Sequence, residues 1–418
     1  MTLEQTLHQI YREESGKIIS VLTKIFGVSN IQMAEDVLQD AYIEALEKWG
    51  NKMPSNPKAW LYTVAKNKAL NIVNRKKYEV EYQSEVTHLL TSDWTMNGVI
   101  DQLFSENEIK DDQLKMMFTC CTPEINTDSQ TALILKTLCG FGIPEIAKAY
   151  LVSEDTLNKR LVRARKKIKE NRTSFEIPGV TEINKRLSVV LNAIYLLFNE
   201  GYSASSGNKI IRFELCLESI RLTQLIIESD LIESKGEAHA LLALMNFNAS
   251  RFIARISEEG QIITMENQDR SKWDKNLINT GIHHLNKSIE FNAVSNYLIL
   301  AAISANHCSS PTFKETNWKQ ILSLYDQMLM IDNSPIIQLN RAVAISMVEG
   351  EGKAIELLEF LKGEKDLIKY HRLYSTLGDL YFQIGKSTEA VNEYNNALEL
   401  TNIESEKTWI LSKIKKCK

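Results

Sequence analysis

The chain has 418 residues, of which 44% are hydrophobic and 24% charged, and this composition excludes a largely disordered protein. Its length excludes a single hydrophobic core, so two to three domains are expected. The net charge of −4 is unevenly spread, because residues 58–78 contain only basic charges and residues 156–172 contain eight basic residues against Glu170 alone. Two basic segments in an otherwise acidic chain indicate localised contacts with a polyanion.

Glycine and proline are scarce, at 17 and 7 residues, which favours long helices over many short strands. The longest apolar runs are shorter than the ~20 residues of a membrane span. The N-terminal residues lack the basic and apolar regions of a secretory signal. The 6 cysteines form no CxxC pair, as in proteins of a reducing compartment. We therefore expect an all-α protein of the cytoplasm that does not contact a membrane.

The first clear helix covers residues 34–49, where apolar residues recur at intervals of three and four. Its predicted inner face consists of Ala34, Val37, Leu38, Ala41, Tyr42, Ala45, Leu46 and Trp49. The opposite face carries Asp36, Asp40, Glu44 and Glu47. Carboxylates four residues apart destabilise an isolated helix by ~0.2–0.5 kcal/mol each. Either a partner binds this acidic stripe or the stripe is a solvated face, and the pattern leaves both readings open.

Pro57 begins a second helix that extends to residue 77. Its predicted inner face consists of Leu61, Val64, Ala65, Ala69, Ile72 and Val73. Two neighbouring stripes carry Trp60, Asn67, Asn71 and Asn74, and Lys58, Tyr62 and Lys66. Aromatic rings beside cations suit the bases and phosphates of a single nucleic-acid strand, although Trp60 taken alone fits a core position better. Residues 77–109 are polar and weakly periodic, which indicates a linker.

Residues 140–170 have the spacing of a helix-turn-helix. A short helix opened by Pro144 buries Ile146, Ala147 and Tyr150, and a second helix is capped by Ser153 and buries Leu157 and Leu161. A leucine occupies position 151, where a glycine is often found in the turn. Side chains at the start and middle of the second helix face base edges in a major groove: Glu154, Asp155, Asn158, Lys159 and Arg163. Its remaining cations suit phosphate contacts: Arg160, Arg165, Lys166 and Lys167.

The chain after Pro178 is helical in pattern and ends in residues spaced as in a tetratricopeptide repeat. These are Tyr374, Leu377, Gly378, Tyr381, Ala390, Tyr394 and Ala397. Residues 339–361 form a looser copy with two extra residues in the turn. One regular and one loose repeat predict a stack of helical hairpins rather than a long array.

The sequence contains no usable catalytic constellation, and neither a metal site nor a cofactor is expected. His283 and His284 are adjacent, so on a helix they point ~100° apart and suit a shared metal poorly. Cys120 and Cys121 are interpreted as packing residues. Residues 268–274, QDRSKWD, either line a pocket or form a salt-bridged helix junction.

In their order and spacing, these segments resemble a bacterial sigma factor of the extracytoplasmic-function group within the sigma-70 family. Residues 34–49 resemble the region 2 helix that docks on RNA polymerase, residues 56–77 resemble the helix that engages the −10 promoter element, and residues 141–169 resemble the region 4 helix-turn-helix that reads the −35 element. The remainder resembles a subgroup with a tetratricopeptide-like extension. The implied domains are region 2 at 1–80, a linker at 81–108, region 4 at 109–172 and a TPR-like helical domain at 178–418.

The resemblance also implies partners and contact residues. The partners are core RNA polymerase, through the β′ clamp helices and the β flap, promoter DNA, and a regulatory partner or ligand at the extension. Core-binding residues would be Asp36, Gln39, Asp40 and Glu44. Residues at the −10 element would be Asn51, Lys52, Ser55, Asn56, Trp60, Lys66, Asn67 and Asn71. Residues at the −35 element would be Glu154, Asp155, Asn158, Lys159, Arg160, Arg163, Arg165 and Lys166.

Two other functions stay open on the residues alone. A helix-turn-helix repressor or activator with a ligand- or partner-sensing helical domain would use the same DNA contacts, but it leaves the acidic stripe and the Trp60 helix without a role. An enzyme within residues 180–370 could instead use the N-terminal part for DNA targeting. Promoter-specific initiation by core polymerase would separate the sigma factor from both.

Overall fold

The computed structural model describes most of the chain, namely residues 3–50, 53–76, 102–149, 152–171, 173, 175–203, 211–258, 261–292, 295–365, 367–401 and 403–417. This part contains 18 α-helices and no strand beyond an isolated bridge between Ile256 and Ile262, which confirms the all-α fold. No helix in these ranges has an apolar stretch long enough to cross a membrane. Most of the predicted linker, the turn at Tyr150 and position 151, and both Asn51 and Lys52 lie outside the described residues.

The chain forms two compact units. The N-terminal unit comprises residues 1–206 and 212–234, and the C-terminal unit comprises residues 207–211 and 235–418. The predicted start of the helical extension, at residue 178, falls inside the N-terminal unit. The first two helices of the extension therefore share a core with the segments predicted as regions 2 and 4.

Nine helices of the described chain belong to the N-terminal unit, and the fourth starts a few residues before the predicted end of the linker. They are α1 (Leu3–Phe26), α2 (Ile31–Trp49), α3 (Pro57–Lys76), α4 (Glu106–Cys120), α5 (Thr127–Thr137), α6 (Ile143–Ala149), α7 (Glu154–Glu170), α8 (Val180–Tyr202) and α9 (Phe213–Glu228). A 3₁₀ turn at Val28–Asn30 joins α1 to α2.

Helix α1 lies at the centre of this unit and packs against α2, α3, α4, α5 and α9. Its side chains Ile18, Leu22 and Ile25 are fully buried. At Gly16 the backbone of α1 meets the chain just after α5, because an added Cβ would lie 2.0 Å from the carbonyl oxygen of Leu138. A side chain at this position would force the two segments apart, so glycine is required for their contact.

The C-terminal unit is a succession of helices in which neighbours along the chain pack against each other. They are α10 (Gly236–Ala249), α11 (Lys275–Glu290), α12 (Asn296–Ser309), α13 (Trp318–Ile331), α14 (Pro335–Val348), α15 (Glu351–Leu361), α16 (His371–Gln383), α17 (Ser387–Leu400) and α18 (Glu404–Cys417). The loose repeat copy corresponds to α14 and α15, joined by a turn in which Gly350 has a φ of +98°. The regular copy corresponds to α16 and α17.

The predicted repeat residues form the contact between α16 and α17. Tyr394 is fully buried, and its ring lies so close to Gly378 that an added Cβ would be 2.7 Å from the ring carbons. The Tyr394 hydroxyl donates to Asp379 Oδ1 at 2.6 Å. The spacing identified in the sequence therefore reflects a large-to-small packing pair.

Replacing Gly378 with alanine should destabilise the C-terminal unit by about 1–3 kcal/mol, because the methyl group overlaps the Tyr394 ring. Gly352→Ala is the matched control, since nothing lies within 4 Å of its added Cβ and the residue is helical. That change should be neutral or stabilising by up to ~1 kcal/mol. Calorimetric unfolding of the full chain measures both, and equal behaviour of the two variants would contradict the packing account.

The shared core also predicts which C-terminal truncations of the chain will fold. Helix α8 contributes Val190, Leu191 and Ile194 to the interior of the N-terminal unit, all at most 1% exposed. A chain ending at residue 172 loses these side chains and should aggregate or unfold non-cooperatively. A chain ending at Ser234 retains the whole unit and should unfold cooperatively. Circular dichroism melts and size-exclusion chromatography of the two chains test this, and a well-folded 1–172 fragment would refute it.

Candidate nucleic-acid and protein interfaces

Helix α7 presents the predicted base-reading side chains to solvent. Its inner face, formed by Leu157, Leu161, Ala164 and Ile168, is buried as predicted. The outer face leaves the following residues exposed: Glu154, Asp155, Asn158, Lys159, Arg163 and Lys166. Lys159 and Asp155 form an ion pair of 2.6 Å on this surface. One face of a 17-residue helix is therefore available to a groove of DNA.

The start of α7 is fixed by the predicted cap. The Ser153 hydroxyl accepts a hydrogen bond from the Thr156 amide at 3.2 Å. The preceding helix α6 packs against α7 through the buried side chains of Ile146 and Ala147. These contacts hold the first exposed turn of α7 in place, as a helix-turn-helix requires.

All four predicted phosphate-contacting cations have protein partners, and Lys166 Nζ lies 3.6 Å from Glu170 on the same helix. Nη2 of Arg165 donates to both carboxylate oxygens of Glu35 on α2, at 2.7 and 2.8 Å, and this arginine is only 17% exposed. Lys167 donates to the Glu124 carbonyl oxygen at 2.6 Å. Arg160 lies 3.9 Å from Asp128. In this arrangement Arg165 is directed at α2, so its predicted phosphate contact would require it to leave Glu35.

Helix α3 is similarly tied to acidic residues of α1 and α2. Lys58 Nζ lies 2.6 Å from Glu13 and 3.0 Å from Glu14, and the hydrogen bond to Glu13 raises the pKa of Lys58. The Tyr62 hydroxyl donates to Glu14 at 2.8 Å. The Glu13 and Glu14 pair was not identified from the sequence, because these residues are more than 40 positions from their partners and share no local pattern with them.

The remaining predicted −10 residues of α3 lie on an open surface. Asn67 and Asn71 are exposed, and Trp60 and Lys66 are half-buried. The Trp60 ring contacts Trp49 edge-on, with 5.3 Å between ring centroids, and Lys48 Nζ lies over the Trp60 ring at 6.0 Å from its centroid. Before the helix, Ser55 and Asn56 are exposed, and the Asn56 side chain accepts from the Ala59 amide at 3.1 Å. The side chain of Asn56 therefore caps α3.

Within the acidic stripe on α2, Asp36, Asp40 and Glu47 are exposed, and so is the neighbouring Gln39. Glu44 differs from the other stripe residues in being only partly exposed and paired. Hydrogen bonds from Lys48 and Lys68 engage its carboxylate and lower its pKa.

Two apolar side chains lie beside the stripe, Ile43 at 47% and Leu46 at 49% exposed. The prediction that Leu46 belongs to the inner face is wrong, since α3 and α1 cover only the residues on the other side of α2. Exposed apolar groups beside charges are typical of a protein-binding surface.

Other candidate sites are explained by packing. Burial raises the pKa of the Cys120 thiol to about 12, which fits the interpretation of this cysteine as a packing residue. The Nδ1 atoms of His239 and His284 lie 2.9 Å apart, and the described residues contain no group of three or more metal-ligating side chains.

Arg270, within QDRSKWD, donates to the carbonyl oxygens of His307 and Ser310 at 2.6 and 2.7 Å. This motif therefore forms a helix junction through carbonyl groups, and its residues Arg270, Ser271 and Trp273 also line a cavity of about 550 Å³.

The chain matches three known protein families along its length. Residues 10–78 match Sigma-70 region 2, and residues 115–168 match Sigma-70, region 4. Residues 186–289 match a family of unknown function, DUF6596. The two sigma-70 matches contain α2, α3 and most of the helix-turn-helix, and the third covers the helices that follow.

Similar proteins fall into two groups. A Rhizobium meliloti protein named Uncharacterized protein R00370 is 33% identical over 383 residues, which cover 91% of this chain and 89% of the relative. RNA polymerase sigma factor YlaC of Bacillus subtilis is 24% identical over 176 residues, 41% of this chain and 95% of that protein. The ECF RNA polymerase sigma factor SigX of the same organism is 24% identical over 172 residues, 40% of this chain and 84% of that protein.

The cap of α7 can be tested locally. Ser153→Ala removes the side-chain acceptor of the first turn and should destabilise that turn by about 1 kcal/mol. Amide hydrogen exchange of residues 154–158 should then accelerate about fivefold. Ser153→Asp keeps an acceptor at the same place and should exchange like the wild type. Unchanged exchange in the alanine variant would show that the cap does not position the exposed face of α7.

Proposed function

The chain belongs to the sigma-70 family, as a sigma factor of the extracytoplasmic-function group with a C-terminal helical extension, and from this premise we propose that it binds core RNA polymerase in the cytoplasm and directs promoter-specific initiation. One observation carries the proposal. A single compact unit bears, in chain order, an exposed acidic and apolar face on α2, an aromatic and amide face on α3, and a capped helix-turn-helix. Each face suits one of the three contacts that initiation requires, and the proposal includes no catalytic activity.

We assign the α2 face to the β′ clamp helices. Asp36, Gln39 and Asp40 supply polar contacts. Ile43 and Leu46 supply exposed apolar surface, whose burial against a partner is favourable. Glu44 has a smaller part in this assignment, because its carboxylate already binds Lys48 and Lys68. The contact with the β flap is assigned to the helix-turn-helix unit as a whole.

We assign the α3 face to the opened −10 element. Trp60, Asn67 and Asn71 offer a ring for stacking and amides for base edges, and Lys66 offers a charge for the backbone. The segment before α3, including Asn51, Lys52, Ser55 and Asn56, is assigned to a flipped base, whose unstacking costs a few kcal/mol. The free energy of polymerase binding must offset part of this cost, because Lys58 and Lys68 are already paired with carboxylates and are less available to DNA.

We assign the exposed face of α7 to the −35 element. The exposed Glu154, Asp155, Asn158, Lys159 and Arg163 are assigned to base reading, and Arg160 and Lys166 are assigned to phosphate contacts. Arg165 reaches a phosphate only when it leaves Glu35. The C-terminal helical domain is proposed to regulate this activity through a partner or ligand. Among the described residues, no contact favours the repressor or the enzyme over the sigma factor.

Removing the two exposed carboxylates of α2 should weaken binding to core polymerase. Asp36→Ala combined with Asp40→Ala should raise the dissociation constant at least tenfold, because both charges lie on the assigned docking face. Asp230→Ala combined with Glu233→Ala is the matched control, since these carboxylates are exposed on the same unit but far along the chain from α2. Biolayer interferometry against immobilised core polymerase measures both pairs. An unchanged constant for the α2 variant would refute the docking assignment.

Initiation and base reading can be tested in holoenzyme. Purified protein with core polymerase should start transcripts on genomic DNA at sites that share one −10 and one −35 sequence. Asn158→Ala should relax the preference at one −35 position by about 1–3 kcal/mol, since an amide can pair with a base edge. Lys166→Ala should instead weaken all sites alike and reduce the salt slope by about one unit. Absence of any mapped start with the wild type would refute the proposed function.

A further inference from the structure

We propose that the C-terminal unit binds a small organic carboxylate in the cavity beside Arg270. The cavity, of about 550 Å³, is lined by residues from the start of α11 and the end of α12, and both helices belong to this unit. Its volume lies in the range of pockets that hold small ligands. The inference gives the C-terminal domain a ligand site and a chemical class of ligand, and it rests on the proposed function only for an effect on transcription.

The charged side chains that line the cavity are positive. Among the described residues of the lining, Arg270 and Lys275 carry charge, and the other polar side chains are neutral hydroxyls, an amide, an indole and a thiol. The two aspartates of the same segment bond elsewhere. The Asp269 carboxylate accepts from the amide and hydroxyl of Ser271, and the Asp274 carboxylate accepts from amides of the first turn of α11. The cavity therefore favours an anion.

Arg270 retains donors that the protein does not engage. A guanidinium group carries five N–H donors. The Nη1 atom donates to the carbonyl oxygens of His307 and Ser310 at 2.6 and 2.7 Å, and Nη2 lies 3.3 Å from the Thr316 hydroxyl. Three donors are thus used, which leaves one on Nε and one on Nη2. Among the described residues, the guanidinium group of Arg270 bonds neutral oxygens and no carboxylate.

The electrostatic environment of Arg270 agrees with this. Burial, together with the nearby charge of Arg251, lowers the pKa of Arg270. The opposite holds for Arg221, where the Glu218 carboxylate outweighs the effect of burial and raises the pKa. The neighbouring His307 is uncharged at neutral pH, because burial and the two arginines lower its pKa to about 3. An anion beside Arg270 would therefore supply the counter-charge that this arginine lacks.

Trp273 lines the same cavity and adds a further polar group. Its side chain is 4% exposed, and its Nε1 has no hydrogen-bond partner among the described residues. The guanidinium groups of Arg270 and Arg251 lie 4.9 and 5.7 Å from the centre of its ring. Buried N–H groups in folded proteins are nearly always paired. An unpaired N–H dipole beside guanidinium groups increases the positive potential at the cavity, which favours an anionic ligand.

A carboxylate fits these donors better than a phosphate. The unengaged N–H groups on Nε and Nη2 of Arg270 match the two oxygens of a carboxylate. Phosphates are typically held by free amides at a helix N-terminus, but the amides of Asn276 and Leu277 at the start of α11 already bond Asp274, at 2.8 and 3.1 Å. Ile278 and Pro311 add apolar surface to the lining. We therefore expect a carboxylate that carries a short apolar body.

Ligand-detected NMR of the full-length protein tests the site. Saturation transfer to benzoate or hexanoate at ~2 mM should be observed, because ligands of about nine non-hydrogen atoms reach millimolar dissociation constants. Benzamide has the same ring without the charge and should bind at least fivefold more weakly than benzoate. Phenyl phosphate, with a phosphate on the ring, should also bind more weakly. Absence of transfer to both carboxylates, or binding of benzamide or phenyl phosphate as tight as that of benzoate, would overturn the proposal.

Charge variants locate the ligand. Lys275→Glu reverses an exposed charge of the lining and should weaken benzoate binding about three- to tenfold. Lys369→Glu is the matched control, since this lysine is exposed in the turn before α16 and does not line the cavity. Arg270→Gln should abolish detectable transfer. Unchanged binding in Lys275→Glu, or equal weakening in Lys369→Glu, would place the ligand elsewhere and refute the site.

Arg270 also braces the helix junction, so circular dichroism melts must show that Arg270→Gln is folded. If it unfolds, Lys275→Glu still decides the question, because Lys275 makes no ion pair among the described residues. The binding experiments contain neither polymerase nor DNA. If the wild type binds benzoate but never initiates transcription, the proposed function fails and the site stands. If the wild type initiates but binds neither carboxylate, only the site fails.

Discussion

Both candidate DNA-binding faces depend on the packing of one helix, α1. Its buried side chains Ile18, Leu22 and Ile25 form the centre of the N-terminal unit, with α2 and α3 packed against it as well as α4, α5 and α9. The close approach at Gly16 leaves no space for a side chain between α1 and the end of α5. The positions of α2, α3 and α5, and through α5 that of α7, therefore depend on a helix that contributes no predicted DNA contact.

The electrostatics of the unit follow from this packing. Acidic residues of α1 and α2 lie against basic residues of α3 and α7, so several cations are paired inside the protein before any DNA is present. Such pairing lowers the free energy available for phosphate contacts, since each cation must first leave its carboxylate. A chain of this kind is expected to bind DNA weakly alone and to depend on polymerase for affinity. This expectation agrees with the net charge of −4, which is unusual for an independent DNA-binding protein.

The extension is divided between two structural roles. Its first hairpin, α8 and α9, completes the core of the N-terminal unit, whereas α10 to α18 form the separate hairpin stack. If the stack regulates the N-terminal unit as proposed, α8 and α9 are the helices that precede it along the chain and already belong to that unit. The DUF6596 match spans this division, from residue 186 to residue 289. A regulatory coupling that works through α8 and α9 would be encoded in that segment.

Many features of the structure could be predicted from the sequence, because they depend on interactions between residues that are close along the chain. The apolar faces of α2 and α7, the Ser153 cap and the Gly378–Tyr394 repeat pair all follow from spacings of a few residues or from known repeat registers, and each is present in the structure. Contacts between segments that are distant along the chain were decided only by the tertiary structure. Arg165 and Glu35 are 130 positions apart, and nothing in their local sequence distinguishes a carboxylate partner from a phosphate. Leu46 fits the helical period of α2 yet lies beyond the edge that α1 and α3 cover, because coverage depends on where neighbouring helices pack rather than on periodicity.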